Sequence, residues 1–426
     1  MQFVQLTEKE FKDFSKKYKN KCYLQSTNIA EFRKKQGWMA EYVGIKENKK
    51  VLAATLLLSK KRHLKKEFYT LRGPQLDYND EKLLNYFVAA LKKYVKENDG
   101  YFLRIDPYIE ALSLDKDGNP TGEFDNTIIS SKLKKLGFKE VKACKMSDTV
   151  QAKFMYVIDL TDNLDSVMAD MDSKTRQMIR KNEKQGVTIR VGDSNDVELF
   201  EDIMNKTSQR RNFNDRGLEF YQNMYNELIK DNMIELVFAE LDIQLARKNL
   251  NAELKEIESA KEDREEKRKA GKCNEKKAKV KEQEEAIALE KIAKKNRELA
   301  ELESKYGKKI TLGGILYILY GNEVASLFGG CYEEFKEYQC FYTIHYEMIK
   351  YAIKNKYSRY NFYAINNTLD KNDSQYGIYQ FKRGFGGHVM ELLGEFILPV
   401  DKPLYNTIKL LSHLKEKIKR KWKQLN

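Results

Sequence analysis

The chain has 426 residues, 41% of them apolar and 12% aromatic, so it is long enough for two or three domains with buried cores. Its formal net charge of +14 favours a polyanionic partner, such as nucleic acid, a nucleotide diphosphate or an anionic membrane face. The five cysteines form no C-x-x-C pair and the four histidines stand singly, which argues against a disulfide framework, a zinc site and metal catalysis.

Residues 1–153 read as a first α/β unit. A strand begins at Phe3, and Thr7 with Glu10 forms a capping box that begins a helix. One later strand stops at Arg72-Gly73-Pro74 and another at Asp106-Pro107, where proline interrupts pairing. The other predicted elements are helix 29–36, strands 41–45, 51–59, 67–71 and 101–105, helix 80–98, a loop over 107–122 and helix 126–136.

Residues 154–400 repeat this plan as a second unit. Its predicted elements are strands 155–160, 187–191, 233–240, 310–320, 323–329 and 360–364, and helices 164–185, 197–210, 218–230 and 341–355. Alternating strands and helices of this kind predict two α/β units with mixed sheets.

Residues 242–306 interrupt the second unit with a segment rich in Lys, Glu, Ala and Arg. Its apolar residues follow heptad spacing on both limbs, around a turn at Gly271. They are Ile243, Leu250, Leu254 and Ile257, then Leu289, Ile292, Leu299, Leu302 and Tyr306. The pattern predicts an antiparallel coiled-coil arm roughly 45 Å long. A disordered charged linker is the alternative, although a linker would not need its apolar residues in register.

Residues 401–426 form a predicted helix with a basic end. Its six basic residues there are Lys415, Lys417, Lys419, Arg420, Lys421 and Lys423. This end either rests on anionic lipid or RNA, or is simply a solvated helix terminus. The chain has no basic segment followed by an apolar core near Met1, and no run of about eighteen apolar residues. We therefore expect a cytoplasmic protein, with a peripheral position at the membrane face as an option.

The segment 360–394 concentrates aromatic, basic and glycine residues. In Phe381-Lys382-Arg383-Gly384-Phe385 the glycine permits a close approach of ligand to backbone, and Lys382 is a cation beside an aromatic wall. On spacing alone, a basic turn with glycine caps is an equally simple interpretation.

Short motifs occur in order along nearly the whole chain. They are Leu24-Gln25-Ser26 before Gly37-Trp38, Arg72-Gly73-Pro74 before Asp77-Tyr78, Ile105-Asp106-Pro107-Tyr108, Tyr360-Asn361-Phe362-Tyr363, and Phe381-Lys382 with Gly384-Phe385 before Glu391, Gly394 and Phe396. Together with the arm, these motifs resemble the Fem aminoacyltransferase family. The resemblance implies an α/β (α+β) fold of two tandem acetyltransferase-like (GNAT-like) domains, with an antiparallel coiled-coil hairpin inserted in the second.

The resemblance also implies the reaction. Members of the family transfer an amino acid from aminoacyl-tRNA to the stem peptide of a peptidoglycan precursor and so build the interpeptide bridge. Glycine, serine and alanine are all candidates here, and the acceptor is either lipid-linked or UDP-linked muramyl pentapeptide. The arm and the basic tail favour the lipid-linked form. No cofactor is implied, and an oligomer with copies of itself or with related transferases is a further expectation.

Catalytic roles follow from the same resemblance. An amine attacks the aminoacyl ester, so it must be neutral, although a free lysine has a pKa of about 10.4. Lys382 is the expected cation for the oxyanion and the leaving group, and Phe381 shapes its pocket. Asp106 either orients or deprotonates the amine, or is structural.

Substrate-binding residues are expected on the same basis. Arg33 stands where the family has a lysine for the precursor diphosphate, and the neighbouring Lys34 can substitute for it. The second basic contact is Arg210 or Arg211. Tyr363 and Arg383 complete this set, although Ala364 replaces a glycine usual in the family and leaves the amino-acid choice open.

Two rival functions are open. An acyl-CoA-dependent GNAT acyltransferase needs a pyrophosphate loop before a long helix, and the nearest imitation, 383–387, lies close to the end of the chain. The other rival is a non-catalytic coiled-coil protein that binds RNA or membrane through its arm and tail.

Overall fold

The computed structural model describes residues 1–62, 64–143, 148–161, 163–366, 371–373, 375–411 and 414. Its strands are β1 (Gln2–Gln5), β2 (Met39–Glu47), β3 (Lys50–Arg62), β4 (Lys65–Thr70), β5 (Gly100–Ile105), β6 (Glu110–Leu114), β7 (Pro120–Asp125), β8 (Lys139–Glu140), β9 (Phe154–Asp159), β10 (Val187–Gly192), β11 (Ile234–Asp242), β12 (Lys309–Tyr320), β13 (Glu323–Cys331), β14 (Arg359–Ile365), β15 (His388–Leu392) and β16 (Phe396–Pro399). Its helices are α1 (Glu8–Lys17), α2 (Thr27–Lys35), α3 (Glu81–Glu97), α4 (Thr127–Lys135), α5 (Leu164–Asp170), α6 (Ser173–Lys184), α7 (Val197–Arg211), α8 (Leu218–Leu228), α9 (Ile243–Lys269), α10 (Glu275–Tyr306), α11 (Phe341–Lys354) and α12 (Tyr376–Arg383).

The two halves of the chain exchange strands. A seven-stranded sheet has the order β1-β2-β3-β4-β5-β16-β8, and a nine-stranded sheet has the order β10-β11-β12-β13-β14-β9-β15-β6-β7. Thus β16, near the end of the chain, pairs with β5, while β6 from the first half pairs with β15. Each sheet contains a parallel pair, β4 with β5 and β13 with β14. The halves are therefore interlocked through their backbones.

A shared apolar core also joins the halves. Ile29 and Phe32 of α2 pack in one buried cluster with Phe200, Tyr221 and Phe238 of the second half. Burial of each such large side chain contributes about 1.5–3 kcal/mol, so this contact fixes the relative position of the two sheets.

The arm consists of α9 and α10, which run antiparallel. Ion pairs between Arg247 and Glu303, and between Arg264 and Glu285, set the register of the two helices. Ile243 and Leu299 are fully buried at the base. The arm therefore has an apolar base and a charge-paired outer part, and α9, with 27 residues, extends about 40 Å.

The structure corrects two expectations about local structure. The single helix expected over 164–185 is two helices, because Met171 has an extended backbone with ψ of 144°. The segment 107–122, expected to be a loop, contains β6 and the start of β7. All residues of β7 are exposed, so this strand has no alternation of apolar and polar residues by which it could be predicted.

A helical stretch over 402–411 continues past β16, and the predicted basic end at 415–423 lies outside the described residues. Within the described residues, no helix has the length and apolar character needed to cross a membrane.

Candidate active site

The site begins where two parallel strands part. β13 and β14 pair only from Glu323–Arg359 to Ala325–Asn361, and the register of β14 with β9 shifts just after Asn361. Tyr363 lies in this irregular segment with a φ of 63°, in the left-handed region. Because β13 and β14 are neighbours in the interior of the nine-stranded sheet, their parting opens the sheet between two central strands, where a ligand can enter.

Lys382, in the last turn of α12, faces this segment. Its Nζ donates hydrogen bonds to the carbonyl oxygens of Ala364 at 2.7 Å and Tyr363 at 3.3 Å. Burial lowers the pKa of Lys382 to about 7. No carboxylate among the described residues forms an ion pair with it, so its charge is available to an incoming anion.

Arg383, the next residue, has a different environment. Its Nε lies 2.7 Å from Asp117 Oδ1 in the loop between β6 and β7. That hydrogen bond raises the pKa of Arg383 above its ordinary value. The predicted substrate contact at Arg383 is therefore already matched by an acid of the protein.

An aromatic cluster surrounds the stem of Lys382. The Phe381 ring lies 4.9 Å from the ring of Tyr342 and 5.4 Å from that of Phe385. His345 lies among these rings, and its Nδ1 is 2.7 Å from Tyr360 Oη. Burial, with the nearby charge of Lys382, lowers the pKa of His345 to about 3, so this histidine is neutral at neutral pH.

Asp106 is buried against Arg72 at the end of β5. The Arg72 N–H donates to Asp106 Oδ1 at 2.7 Å, and the Arg72 Nη1 lies 3.5 Å from Oδ2. Burial raises the pKa of Asp106 to about 7, although the Arg72 charge opposes this shift. The charge of Arg72 also lowers the pKa of the Tyr363 hydroxyl, against the effect of burial. The side chain of Tyr363 therefore lies near the Arg72–Asp106 pair, while its backbone carbonyl oxygen accepts a hydrogen bond from Lys382.

Arg33 lines a cavity of about 240 Å³ together with two further arginines and with aromatic side chains. Arg62 and Arg104 each have an acid partner, Glu67 and Glu395. Arg33 has only Gln36, at 2.7 Å, and its buried Nε has no partner among the described residues. Burial lowers the pKa of Arg33, with Tyr23 and Tyr363 close enough to oppose that shift. Arg33 is thus an unmatched cation beside Tyr363.

The other predicted binding residues lie toward solvent. Lys34 is paired with Glu31 of its own helix at 2.7 Å. Arg210 is paired with Glu333 at 3.1 Å, and Arg211 is exposed beside it. The structure brings Arg33, Tyr363 and Lys382 into one region, and no direct contact among the described residues joins Lys34, Arg210 or Arg211 to them.

A larger cavity, of about 850 Å³, lies beyond Tyr108, and none of the predicted site residues lines it. Two of the charged residues that line it already have partners, since Glu323 accepts from Tyr108 Oη at 2.9 Å and Arg359 pairs with Glu110 at 2.8 Å. Lys382, which has no acidic partner among the described residues, is therefore the candidate catalytic group.

Three residues of this region were not predicted from the sequence. Arg72, which holds Asp106, is recognisable there only as the end of a strand, and His345 only as one of four single histidines. Asn361 stood inside a recognised motif without a role. The motifs mark Arg72 and Asn361 in the sequence, but the partners of these residues, such as Asp106 and Tyr108, lie far away along the chain.

Comparisons with known proteins agree with the fold. The model of the FemAB family matches residues 6–413. Aminoacyltransferase FemA of Staphylococcus epidermidis is 30% identical over 429 residues, which cover 98% of this chain and all of that protein. Aminoacyltransferase FemA of Staphylococcus aureus is 29% identical over 431 residues, with the same coverage.

A crystal structure of FemX has a TM-score of 0.80 and 28% identity to this chain, covering 96% of it and all of FemX. These similarities confirm the predicted α/β fold class and the predicted enzyme class, aminoacyltransferase. The chain belongs to the FemAB family.

Proposed function

We propose that this protein transfers glycine, serine or alanine from aminoacyl-tRNA to the stem peptide of a lipid-linked peptidoglycan precursor, building the interpeptide bridge. The observation that carries the proposal is the ammonium of Lys382, which has no acidic partner among the described residues, at the gap between β13 and β14. An aminoacyl ester that enters this gap brings its carbonyl oxygen beside a buried cation, and electrostatic stabilisation is strong where solvent screening is low.

The proposed step forms one bond and breaks one. The amine nitrogen of the acceptor bonds to the aminoacyl carbon, and the ester bond to the tRNA ribose breaks. The amine loses a proton and the ribose oxygen gains one, so the step is balanced without a cofactor. We assign the oxyanion and the leaving oxygen to Lys382, whose pKa of about 7 also suits proton donation near neutral pH.

We assign the amine side of the reaction to Asp106. A pKa of about 7 is a suitable value for a group that accepts a proton near neutral pH. Phe381 shapes the wall beside Lys382 through its contacts with Tyr342 and Phe385.

The acceptor is proposed to bind on the side of Arg33. The unpartnered Nε of Arg33 and the cavity beside it suit an anionic group of the precursor. Lys34, Arg210 and Arg211 are proposed to supply further charge at the rim, and Tyr363 and Arg383 to border the substrates. The arm over 242–306 is proposed to contact tRNA or a partner subunit, and the whole enzyme to work in the cytoplasm at the membrane face.

Mass spectrometry of muropeptides tests this function. Cells that lack the gene are expected to lose one bridge residue, and its mass identifies the amino acid. Purified protein given glycyl-, seryl- and alanyl-tRNA with lipid-linked or UDP-linked acceptor identifies the substrates directly. Unchanged muropeptides, together with no transfer from any of the three donors, would contradict the proposal.

A further inference from the structure

Asn361 occupies the point at which β13 and β14 part. Its side chain is fully buried. Its Oδ1 accepts a hydrogen bond from the Tyr363 N–H at 2.7 Å, and its Nδ2 lies 3.5 Å from Tyr108 Oη and 3.4 Å from Met155 Sδ. The Asn361 carboxamide therefore links the strand to the backbone of its own second neighbour.

That neighbour has an unfavourable conformation. Tyr363 has a φ of 63°, in the left-handed region, which is unfavourable for a residue other than glycine. The buried hydrogen bond from its N–H to Asn361 offsets this cost. The bond to Asn361 therefore helps to hold Tyr363 in this conformation.

The conformation of Tyr363 decides where two carbonyls point. Tyr363 and Ala364 direct consecutive carbonyl oxygens at Lys382 Nζ, over 3.3 Å and 2.7 Å. In a regular strand, successive carbonyls point to opposite sides, so a single Nζ could not receive both. The left-handed turn at Tyr363 therefore creates the cradle for the ammonium.

We propose that Asn361 is a positioning residue for the transfer reaction, because it fixes Tyr363 and thereby the two carbonyls that hold the Lys382 ammonium in place. The proposal rests on the function proposed for Lys382. Its consequence is specific: without Asn361, Lys382 loses acceptors that favour its charged form, and its position relaxes.

The test is the pH dependence of kcat/KM for aminoacyl-tRNA in the full-length Asn361→Ala variant. Hydrogen bonds from the ammonium to carbonyls favour the charged form, so their loss moves the break assigned to Lys382 to lower pH, by about one unit. A misplaced catalytic group also lowers kcat, by about tenfold or more, while KM for the acceptor stays within about twofold.

Other titratable groups near Lys382 do not obscure this readout. His345 on α11 has a pKa of about 3 and Asp117 is held by Arg383, so neither titrates near neutral pH. Glu323 on β13 faces Asn361 and Tyr108 instead of Lys382. Asp106 also has a pKa of about 7, and Lys382→Arg, which keeps the cation across this pH range, separates its contribution, because only the break due to Lys382 disappears in that variant.

A second variant separates positioning from general loss of structure. Glycine adopts a positive φ without strain. In a Tyr363→Gly background, Asn361→Ala is therefore expected to change kcat by about twofold or less, whereas beside Tyr363 it has the full effect. Asn355→Ala, which removes an exposed asparagine just after α11 that donates to the carbonyl oxygen of Tyr351, is the matched control.

The outcomes are distinct. A downward shift of the break that disappears in the Tyr363→Gly background supports the proposal. An unmoved break with kcat near wild type overturns it, while the function stands if Lys382→Ala still impairs transfer. If Lys382→Ala has no effect, the proposed function fails first.

Discussion

The Lys382 ammonium is held by the carbonyl oxygen of Ala364, 2.7 Å away, and by no acid within the part of the chain that the structure describes. Its neighbour in sequence, Arg383, is paired with Asp117 at 2.7 Å. The two consecutive basic residues therefore differ in electrostatic state. The charge of Arg383 is neutralised by an acid, whereas among the described residues Lys382 is held by carbonyl dipoles. A substrate that develops negative charge is therefore stabilised more by Lys382 than by Arg383.

The first prediction concerns pH. The acceptor amine must be neutral and Lys382 charged, so kcat/KM should rise with pH and break near the Lys382 pKa of about 7. In Lys382→Arg the side chain stays charged over the whole pH range of the assay, so kcat/KM should continue to rise above pH 7. Rates between about pH 5.5 and 8.5, corrected for ester hydrolysis, check this. A break at the same pH in Lys382→Arg would assign it to Asp106 instead.

The second prediction concerns the stability contributed by Asp106. Its pKa is about 7 when folded and 3.8 ordinarily, so the folded state binds the proton more tightly. The contribution is present below about pH 4 and is lost as pH rises through about 7. Asp106→Asn should therefore cost less stability, relative to wild type, at about pH 8 than at about pH 5. Urea unfolding at both values measures this difference.

A constant cost is expected on top of that slope. Asparagine keeps the acceptor for the Arg72 N–H but replaces the protonated carboxyl by an amide, which changes the hydrogen bonding of the buried group by about 1 kcal/mol at any pH. A difference in stability that does not vary with pH would contradict the shifted pKa of Asp106.

The third prediction concerns His345. Its pKa is about 3 when folded and 6.5 ordinarily, so its contribution to stability is present above about pH 6.5 and is lost as pH falls toward 3. His345→Phe should lower the free energy of unfolding by about 1 kcal/mol at pH 7, because the hydrogen bond to Tyr360 is lost. On acidification, however, the free energy of unfolding should fall less in this variant than in wild type. His388→Ala, at a partly exposed histidine, is the control. Parallel acid-denaturation curves for wild type and His345→Phe would contradict the prediction.

Much of the fold follows from sequence because its signals are local. The capping box at Thr7 and Glu10 begins α1 as expected, and the heptad spacing from Ile243 places the arm. The exchange of β6 and β16 between sheets could not be predicted, because pairing such as Phe396 with Ile105 joins residues far apart in the chain.

The candidate site likewise has local features that the sequence predicts and long-range contacts that it does not. Lys382 and Phe381 stand in a short motif, so their positions are readable from sequence. The pairing of Arg383 with Asp117 is not, since Asp117 lies in a loop 266 residues away. The roles assigned to Lys382, Phe381, Asp106 and the basic residues stay predictions until they are measured.

The fourth prediction concerns the arm. Asp242 and Lys309 are paired neighbours in adjacent strands, so the arm can be shortened without breaking the sheet. Replacing 256–294 by a short turn keeps the buried base residues Ile243 and Leu299. We expect a higher KM for aminoacyl-tRNA, with KM for the acceptor unchanged and a similar melting temperature. An equal loss for both substrates would mean that the arm acts on the fold instead of on the donor.

The salt dependence of donor binding gives a second readout for the shortened arm. Contacts between lysines and phosphates release counterions, so wild-type affinity for tRNA should fall steeply with salt. The slope should be shallower without the outer arm. An unchanged slope would place the tRNA contacts elsewhere.

The most direct measurement is single-turnover transfer from aminoacyl-tRNA to the lipid-linked precursor by Lys382→Ala, compared with wild type and with Lys350→Ala, at a partly exposed lysine on α11 that pairs with Glu347. Loss of an oxyanion-stabilising cation should lower the rate by about 100-fold or more, with the melting temperature unchanged, while Lys350→Ala stays at the wild-type rate. Transfer by Lys382→Ala at the wild-type rate, or acylation of the precursor from acetyl-CoA instead of aminoacyl-tRNA, would contradict the role of Lys382 and the proposed reaction.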